Sequence, residues 1–436
     1  MSMKIRKNSG IPDKKRRISL LLGILVLAVC VVVIALCIRE MVQKQNETAE
    51  KGSGNTVVET DEKTQKDKNS DEGKTTLDEQ KKQGVEEAPS EAEQILSGMT
   101  LEEKVAQLFI VTPEALSGEE STTQAGEQLT GAFQTYPVGG FIMMSGNVAS
   151  PQQIVEFNSA LEDISIQTTG LKPFLSVDEE GGTVVRVAGN EMFPVENVGN
   201  MSDIAAEGNP DRAYEVGAYI GTYLAGYGFN VGFAPDADVW TNPSNEVVRY
   251  RAFGSDAQTA ASMVARAVEG FHSAGVCTSL KHFPGHGATA EDSHEGFAYS
   301  QRTLEELRTC EFLPFQAGIE AGSEFVMVGH ITLPQVTGDG LPSSLSGAVV
   351  TDLLRTELGY EGIIITDAMN MGAIAENYSA ADAAVRAIQA GIDVILMPSD
   401  FYSAYQGILD AVQAGTLTEE RLDESVERII ELKLKL

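Results

Sequence analysis

Apolar positions follow three regimes along the chain. From Ile18 to Ile38 the run ISLLLGILVLAVCVVVIALCI carries no charge, and at ~1.5 Å per residue it is long enough to cross a hydrocarbon core of roughly 30 Å. It predicts a membrane span. The run is longer than the apolar stretch of a cleaved signal peptide, and no small-x-small site precedes Arg39, so an anchor is expected. Val29 is too bulky before Cys30 for a lipoprotein site. Lys4, Arg6, Lys7, Lys14, Lys15, Arg16 and Arg17 all precede the span, which sets the N-terminus in the cytoplasm and the rest of the chain outside.

From Glu40 to Pro89 the chain is almost entirely Lys, Glu, Asp, Gln, Thr, Ser and Gly. Without apolar periodicity such a segment cannot offset its chain entropy. A tether is expected, with coil ends on the order of 40 Å apart. The expected organisation is a basic tail over 1–17, a transmembrane helix over 18–38, a disordered polar linker over 39–90 and a folded domain over 91–436.

After Ile95 the pattern changes to short β-rich runs alternating with amphipathic helices. The strand candidates are Gly140–Met144, Phe174–Asp178, Val231–Ala234, Thr278–His282, Phe325–His330, Gly362–Asp367 and Asp393–Pro398. Asn209-Pro210 reads as a cap before a first-turn proline, and Thr303-x-x-Glu306 as a capping box. Gly275, Gly322 and Gly391 stand where helices end before a strand. Seven β/α units, with an eighth strand not placed, predict a single α/β domain of the (β/α)8 TIM barrel type; a doubly wound open sheet is the alternative. In such a barrel, polar residues at the C-terminal strand ends face the active site, and these ends are Asp178, Lys281-His282, His330 and Asp367.

Charge narrows the partners. The formal net charge of −31 argues against nucleic acid and anionic lipid as partners of the outer part. Cys30 and Cys37 lie in the predicted span, while Cys277 and Cys310 fall in strand and helix segments, too few for a disulfide framework and without zinc spacing.

Lys281 to His294, KHFPGHGATAEDSH, holds three of the five histidines. Their spacing, broken by Pro284, Gly285 and Gly287, is that of a loop and not of a helix presenting paired ligands, so no metal is expected. His286, between two glycines, reads as a turn-holder. Asp292 and His294 are a carboxylate and an imidazole two residues apart, a pairing that suits acid/base work. In IIITDAMNM the carboxylate of Asp367 ends an apolar strand, where it is either salt-bridged or used as nucleophile or base. DEEGG at Asp178–Gly182 is a weak signal alone, and Arg186 and Arg251 are open between surface and site roles.

Taken together, MTLEEKVAQLF, DEEGG, RAFGSD, KHFPGHG with DSH, MVGH, ITDAMNM and RLDESVERIIELKLKL resemble the bacterial β-N-acetylglucosaminidases of glycoside hydrolase family 3. The resemblance covers essentially all of the outer domain, and KHFPGHG followed by DSH is its specific part. It implies a (β/α)8 barrel and a retaining reaction through a covalent glycosyl-enzyme, without metal or organic cofactor. It makes Asp367 the nucleophile, His294 the acid/base in place of the usual second carboxylic acid, and Asp292 its partner. Asp178, Arg186, Arg251, Lys281 and His282 match sugar-binding positions. Because the sequence ends at Leu436 after a final helix, the proton donor is expected within the barrel.

The implied substrate is a terminal β-linked N-acetylglucosamine of muropeptides or chitin-like oligosaccharides, cleaved by a membrane-anchored extracellular enzyme. The rivals are a β-glucosidase, a phosphorolytic relative, or a wall-binding protein without turnover. Two departures stand out: Ala288, where many relatives have Asp, bears on catalytic-loop closure, and Glu179, where many have Gln, is expected to affect preference near the sugar ring.

Overall fold

A computed structural model describes residues 89–289 and 298–436. The predicted span, nearly all of the linker, and Asp292 with His294 lie outside the described residues. Among the described residues no helix is long and apolar enough to cross a membrane.

Ten strands occur among them: β1 (Phe109–Val111), β2 (Gly140–Ile142), β3 (Phe174–Val177), β4 (Val231–Gly232), β5 (Cys277–Phe283), β6 (Ala298–Tyr299), β7 (Phe325–Val328), β8 (Ile331–Thr332), β9 (Ile363–Thr366) and β10 (Ile395–Leu396). Eight form one sheet in the order β10-β1-β2-β3-β4-β5-β7-β9. Every pairing is parallel, with helices between successive strands. A parallel bridge between Ile365 and Val394 links β9 to the residues leading into β10. The sheet therefore curls into a nearly closed α/β barrel, which excludes the open doubly wound alternative.

The strand missing from the sequence reading is β1. It is three residues long and follows the helix Leu101–Gln107 with one residue between, so its FIV merges into the apolar stripe of that helix and leaves no period of its own. Apart from β5, which runs one residue further at each end, the other strands are shorter than expected at their C-terminal ends. Asp178 and Asp367 each sit one residue past the last paired position, because the chain leaves the ladder there to face the open end. The small sheet of β6 with β8 had no counterpart in the pattern.

Local sequence explains the boundaries. Asn209 accepts from the amide of Asp211 ahead of the helix Pro210–Gly226, and Thr303 and Glu306 form a reciprocal capping box, as their spacing predicts. Gly391 ends the helix Ala380–Ala390 with φ 110°, a left-handed backbone that favours glycine. Strand interiors are buried on both faces, which is why they read as continuous apolar runs. Cys277 is buried and Cys310 partly so, and both are free thiols; burial pushes Cys310 up to about 11, well away from a reactive thiolate.

Candidate active site

Strand direction brings the polar residues together. Asp178, Glu180, Arg186, Arg251, Lys281, His282 and Asp367 line one cavity of about 330 Å³, a volume within the range of small-ligand sites. The five positions matched to sugar binding and the matched nucleophile thus share a single pocket. Asp292 and His294 lie outside the described residues.

Alternation places the DEEGG acids. Successive residues of an extended chain point to opposite sides, so Asp178 and Glu180 face the cavity while Glu179 turns away. Glu180 is 3% exposed and holds two cations. Its carboxylate takes a forked pair of bonds from Arg251, Nε to Oε2 and Nη2 to Oε1 at 2.8 Å each, and Lys281 Nζ lies 2.6 Å from Oε1. Burial alone would push this carboxyl up, but Arg251 and Lys281 outweigh it and hold it well below the usual carboxylate range. The sequence reading passed over Glu180; the period-two signal would have found it.

Glu179 does not approach the cavity, which corrects the expectation that it tunes preference near the sugar. Its Oε2 accepts the amides of Arg186 (2.6 Å) and Val187 (2.8 Å), and its Oε1 accepts the amide of Ala188 and the Tyr223 hydroxyl, each at 2.8 Å. It pins the loop that carries Arg186, whose guanidinium lies 3.5 Å from Asp178. Asp178 also takes a bond from Lys281 Nζ at 2.7 Å.

His282 has a defined tautomer. Arg251 Nη2 lies 3.1 Å from its Nε2, and a guanidinium can only donate. Nε2 is therefore the acceptor, and Nδ1 carries the proton toward Asp238 Oδ2 at 2.8 Å. An imidazole so engaged has no proton to give at Nε2, which fits a binding role. Burial would raise Asp238, but the His282 ring and its hydrogen bond keep it lowered. Asp236 is raised well above its ordinary value by burial and then by Asp238.

Asp236, Asp238 and His282 are the one group among the described residues whose ligand atoms lie close enough to hold a metal ion. Their donor set fits a cation poorly. Both ring nitrogens are already committed, and Arg251 Nε stands 3.5 Å from Asp236, supplying the positive charge that the carboxylates would otherwise seek.

Asp367 ends β9 opposite this cluster. Its amide donates to the Val328 carbonyl at 2.9 Å, and its Oδ1 accepts the amide of Ala368 at 2.8 Å. Buried His330 fixes the next residue, with Nε2 donating to the Ala368 carbonyl at 3.0 Å and Nδ1 2.8 Å from Ser344 Oγ. His330, named from the sequence as a strand end, thus supports the backbone beside Asp367.

The turn after β5 is held by backbone contact. A Cβ on Gly287 would fall 1.9 Å from the Val239 carbonyl oxygen, so only glycine permits that approach. Thr241 and Asn242 donate amides to Gly287 O, and Asn245 Nδ2 donates to His286 O at 2.9 Å. His286 is buried with Nδ1 2.9 Å from Thr289 Oγ1, and burial lowers its pKa. Ala288 faces a separate, more polar hollow beside Arg302.

The family follows from comparison with known proteins. The model of the glycosyl hydrolase family 3 N-terminal domain matches residues 100–432. The chain belongs to glycosyl hydrolase family 3. Beta-hexosaminidase A of Pseudoalteromonas piscicida is 33% identical over 332 residues, covering 71% of this chain and 55% of the relative. A beta-hexosaminidase of Stenotrophomonas maltophilia is 33% identical over 288 residues, covering 65% and 81%. Among solved structures, a family 3 beta-N-acetylglucosaminidase from Paenibacillus sp. is 36% identical with a TM-score of 0.72, covering 77% of this chain and 62% of that one. The chain thus spans about half the length of the Pseudoalteromonas relative. Within family 3, the cavity described above is the candidate active site.

Proposed function

We propose that the protein is a retaining exo-β-N-acetylglucosaminidase. The observation that carries this reading is the single cavity in which Asp367 faces the hydrogen-bonded set of Asp178, Glu180, Arg251, Lys281 and His282. That set offers cationic donors and carboxylate acceptors to sugar hydroxyls. Asp367 is the carboxylate that lines the same cavity from the end of the β9 segment, where it is placed to act as a nucleophile toward an anomeric carbon. The beta-hexosaminidase and beta-N-acetylglucosaminidase names of the relatives support the amino-sugar choice.

In the proposed reaction Asp367 attacks the anomeric carbon as the aglycone oxygen departs with a proton from His294. The resulting glycosyl ester is then cleaved by water, with His294 now accepting the proton, so the two inversions retain configuration. Asp292 holds the ring and favours its protonated form. No step calls on a metal or organic cofactor. Muropeptides are the proposed substrates, because the apolar run over 18–38 and the polar segment after it would tether the domain outside the membrane, near the wall.

The test uses the full-length chain in membranes. Release of nitrophenol from the β-N-acetylglucosaminide, sedimenting with membranes until detergent is added, abolished in Asp367→Ala and sharply reduced in His294→Ala, is the expected result. Turnover confined to the β-glucoside, or dependent on added phosphate, would move the reading to a glucosidase or a phosphorylase. Saturable sugar binding without turnover would leave a wall-binding protein.

A further inference from the structure

The cavity has two unlike halves. Apart from Asp367, its charged residues stand on β3 to β5 and the loops that follow them, where they bind one another as described. The other half holds Asp367 and Asn370 and is otherwise apolar and rich in sulfur: Met144 follows β2, Met327 lies in β7, Met371 in the loop after β9, and Met397 directly after β10. Four of the chain's thirteen methionines meet here. Ile142, Val184, Ala368 and Leu396 add to the apolar lining, and the four thioethers are its longest and most adaptable side chains.

Their position relative to Asp367 is specific. Asp367 ends β9, and the neighbours of β9 around the barrel are β7, paired along its length, and the segment leading into β10, joined to it through Val394. Met327 and Met397 thus belong to the segments on either side of β9, and Met371 to the loop that follows Asp367, and all three line the cavity with it. In any aldose the carbon bearing the second substituent is bonded directly to the anomeric carbon. That substituent therefore lies close to the nucleophile, and the apolar lining beside Asp367 is the part of the cavity that suits a methyl carried there.

Met397 adds an independent sign. Its φ is +45°, the one positive value for a non-glycine residue among the described residues. That backbone favours glycine, and a side chain kept there at a site is a candidate for use. Its amide is fixed on the Ile110 carbonyl at 2.9 Å.

We propose that Met371 and Met397, backed by Met327, form the receptacle for the methyl of the N-acetyl group, and so set the preference for 2-acetamido sugars over glucosides. The proposal rests on the β-N-acetylglucosaminidase reading above. An unbranched, polarisable thioether adapts to a methyl, and one such apolar contact is worth roughly 10–200-fold in discrimination.

The test measures kcat/KM of the full-length chain on aryl β-N-acetylglucosaminide and aryl β-glucoside. Met371→Gln and Met397→Gln keep length but set an amide against the methyl, and their acetamido-to-hydroxyl ratio is expected to fall at least about tenfold, with Met→Leu at each position restoring it. Met371→Ala opens space and is expected to gain on the N-butanoyl substrate relative to the N-acetyl one, a readout that survives if a glutamine variant fails to fold. Parallel losses on both glycosides, or ratios unchanged in all variants, overturn the proposal. A wild type that turns over neither glycoside, or the glucoside alone, overturns the reading beneath it.

Discussion

Glu180 joins two of the three cations that line the cavity, Arg251 and Lys281, and its effect is electrostatic as much as catalytic. Breaking a buried pair by removing one partner costs about 3–5 kcal/mol, because the remaining charge is left uncompensated. Glu180→Gln keeps the shape but leaves Lys281 to Asp178 and Arg251 to the more distant Asp236, so a lower melting temperature and a reduced kcat/KM are expected. A variant with both unchanged would show that the cations find other partners. The same group gives pH dependence with a definite sign. Its folded pKa lies below its ordinary value of 4.5, so its stabilisation is present above that value and lost as pH falls below it. At this scale the sequence was legible where a motif named a residue: Asp178, Arg186, Arg251, Lys281, His282 and Asp367 all line the cavity. It was less legible for Asp236 and Asp238, whose roles arise from contacts across strands that no local spacing announces, whereas Glu180 was open to the period-two signal of DEEGG.

At the scale of elements, the C-terminal helix Glu419–Lys433 is tied to the base of the barrel. Asp393, just before β10, binds Arg355 at 2.6 Å, Ser425 at 2.7 Å and Arg428 at 3.1 Å. Lys433 is buried there with no carboxylate among its described partners: its Nζ donates to Gln107 Oε1 at 2.7 Å and lies 5.1 Å from the centroid of the Phe174 ring. Burial lowers this ammonium from 10.5 to about 7. Between those values the unfolded chain binds the extra proton, so stability rises with pH from about 7 to about 10 and is flat from this group below 7. Denaturant unfolding at pH 7 and pH 9 should show that rise in the wild type and a smaller one in Lys433→Met; equal slopes would mean that the lysine is solvated. Helices were readable from their caps because a cap is local. Strand β1 was not, because three residues carry no period.

For the whole molecule, a nearly closed barrel separates two ends. The C-terminal ends of the strands carry the cavity, and the opposite end carries the Asp393 and Lys433 contacts that hold the last helix, the division of labour expected of a (β/α)8 fold. The alternation of β and α segments made the fold class legible from sequence, since parallel strands need crossovers. The pairing of Asp292 with His294, and the membrane span, lie outside the described residues and stay proposals. The most direct test of the central claim is intact-mass and peptide mass spectrometry of the full-length chain incubated with a slow, fluorinated β-N-acetylglucosaminide. The expected result is one sugar per chain, esterified to the peptide carrying Asp367 and absent from Asp367→Ala. A label on another residue, or continued turnover with no trapped ester, would contradict Asp367 as the nucleophile of this cavity.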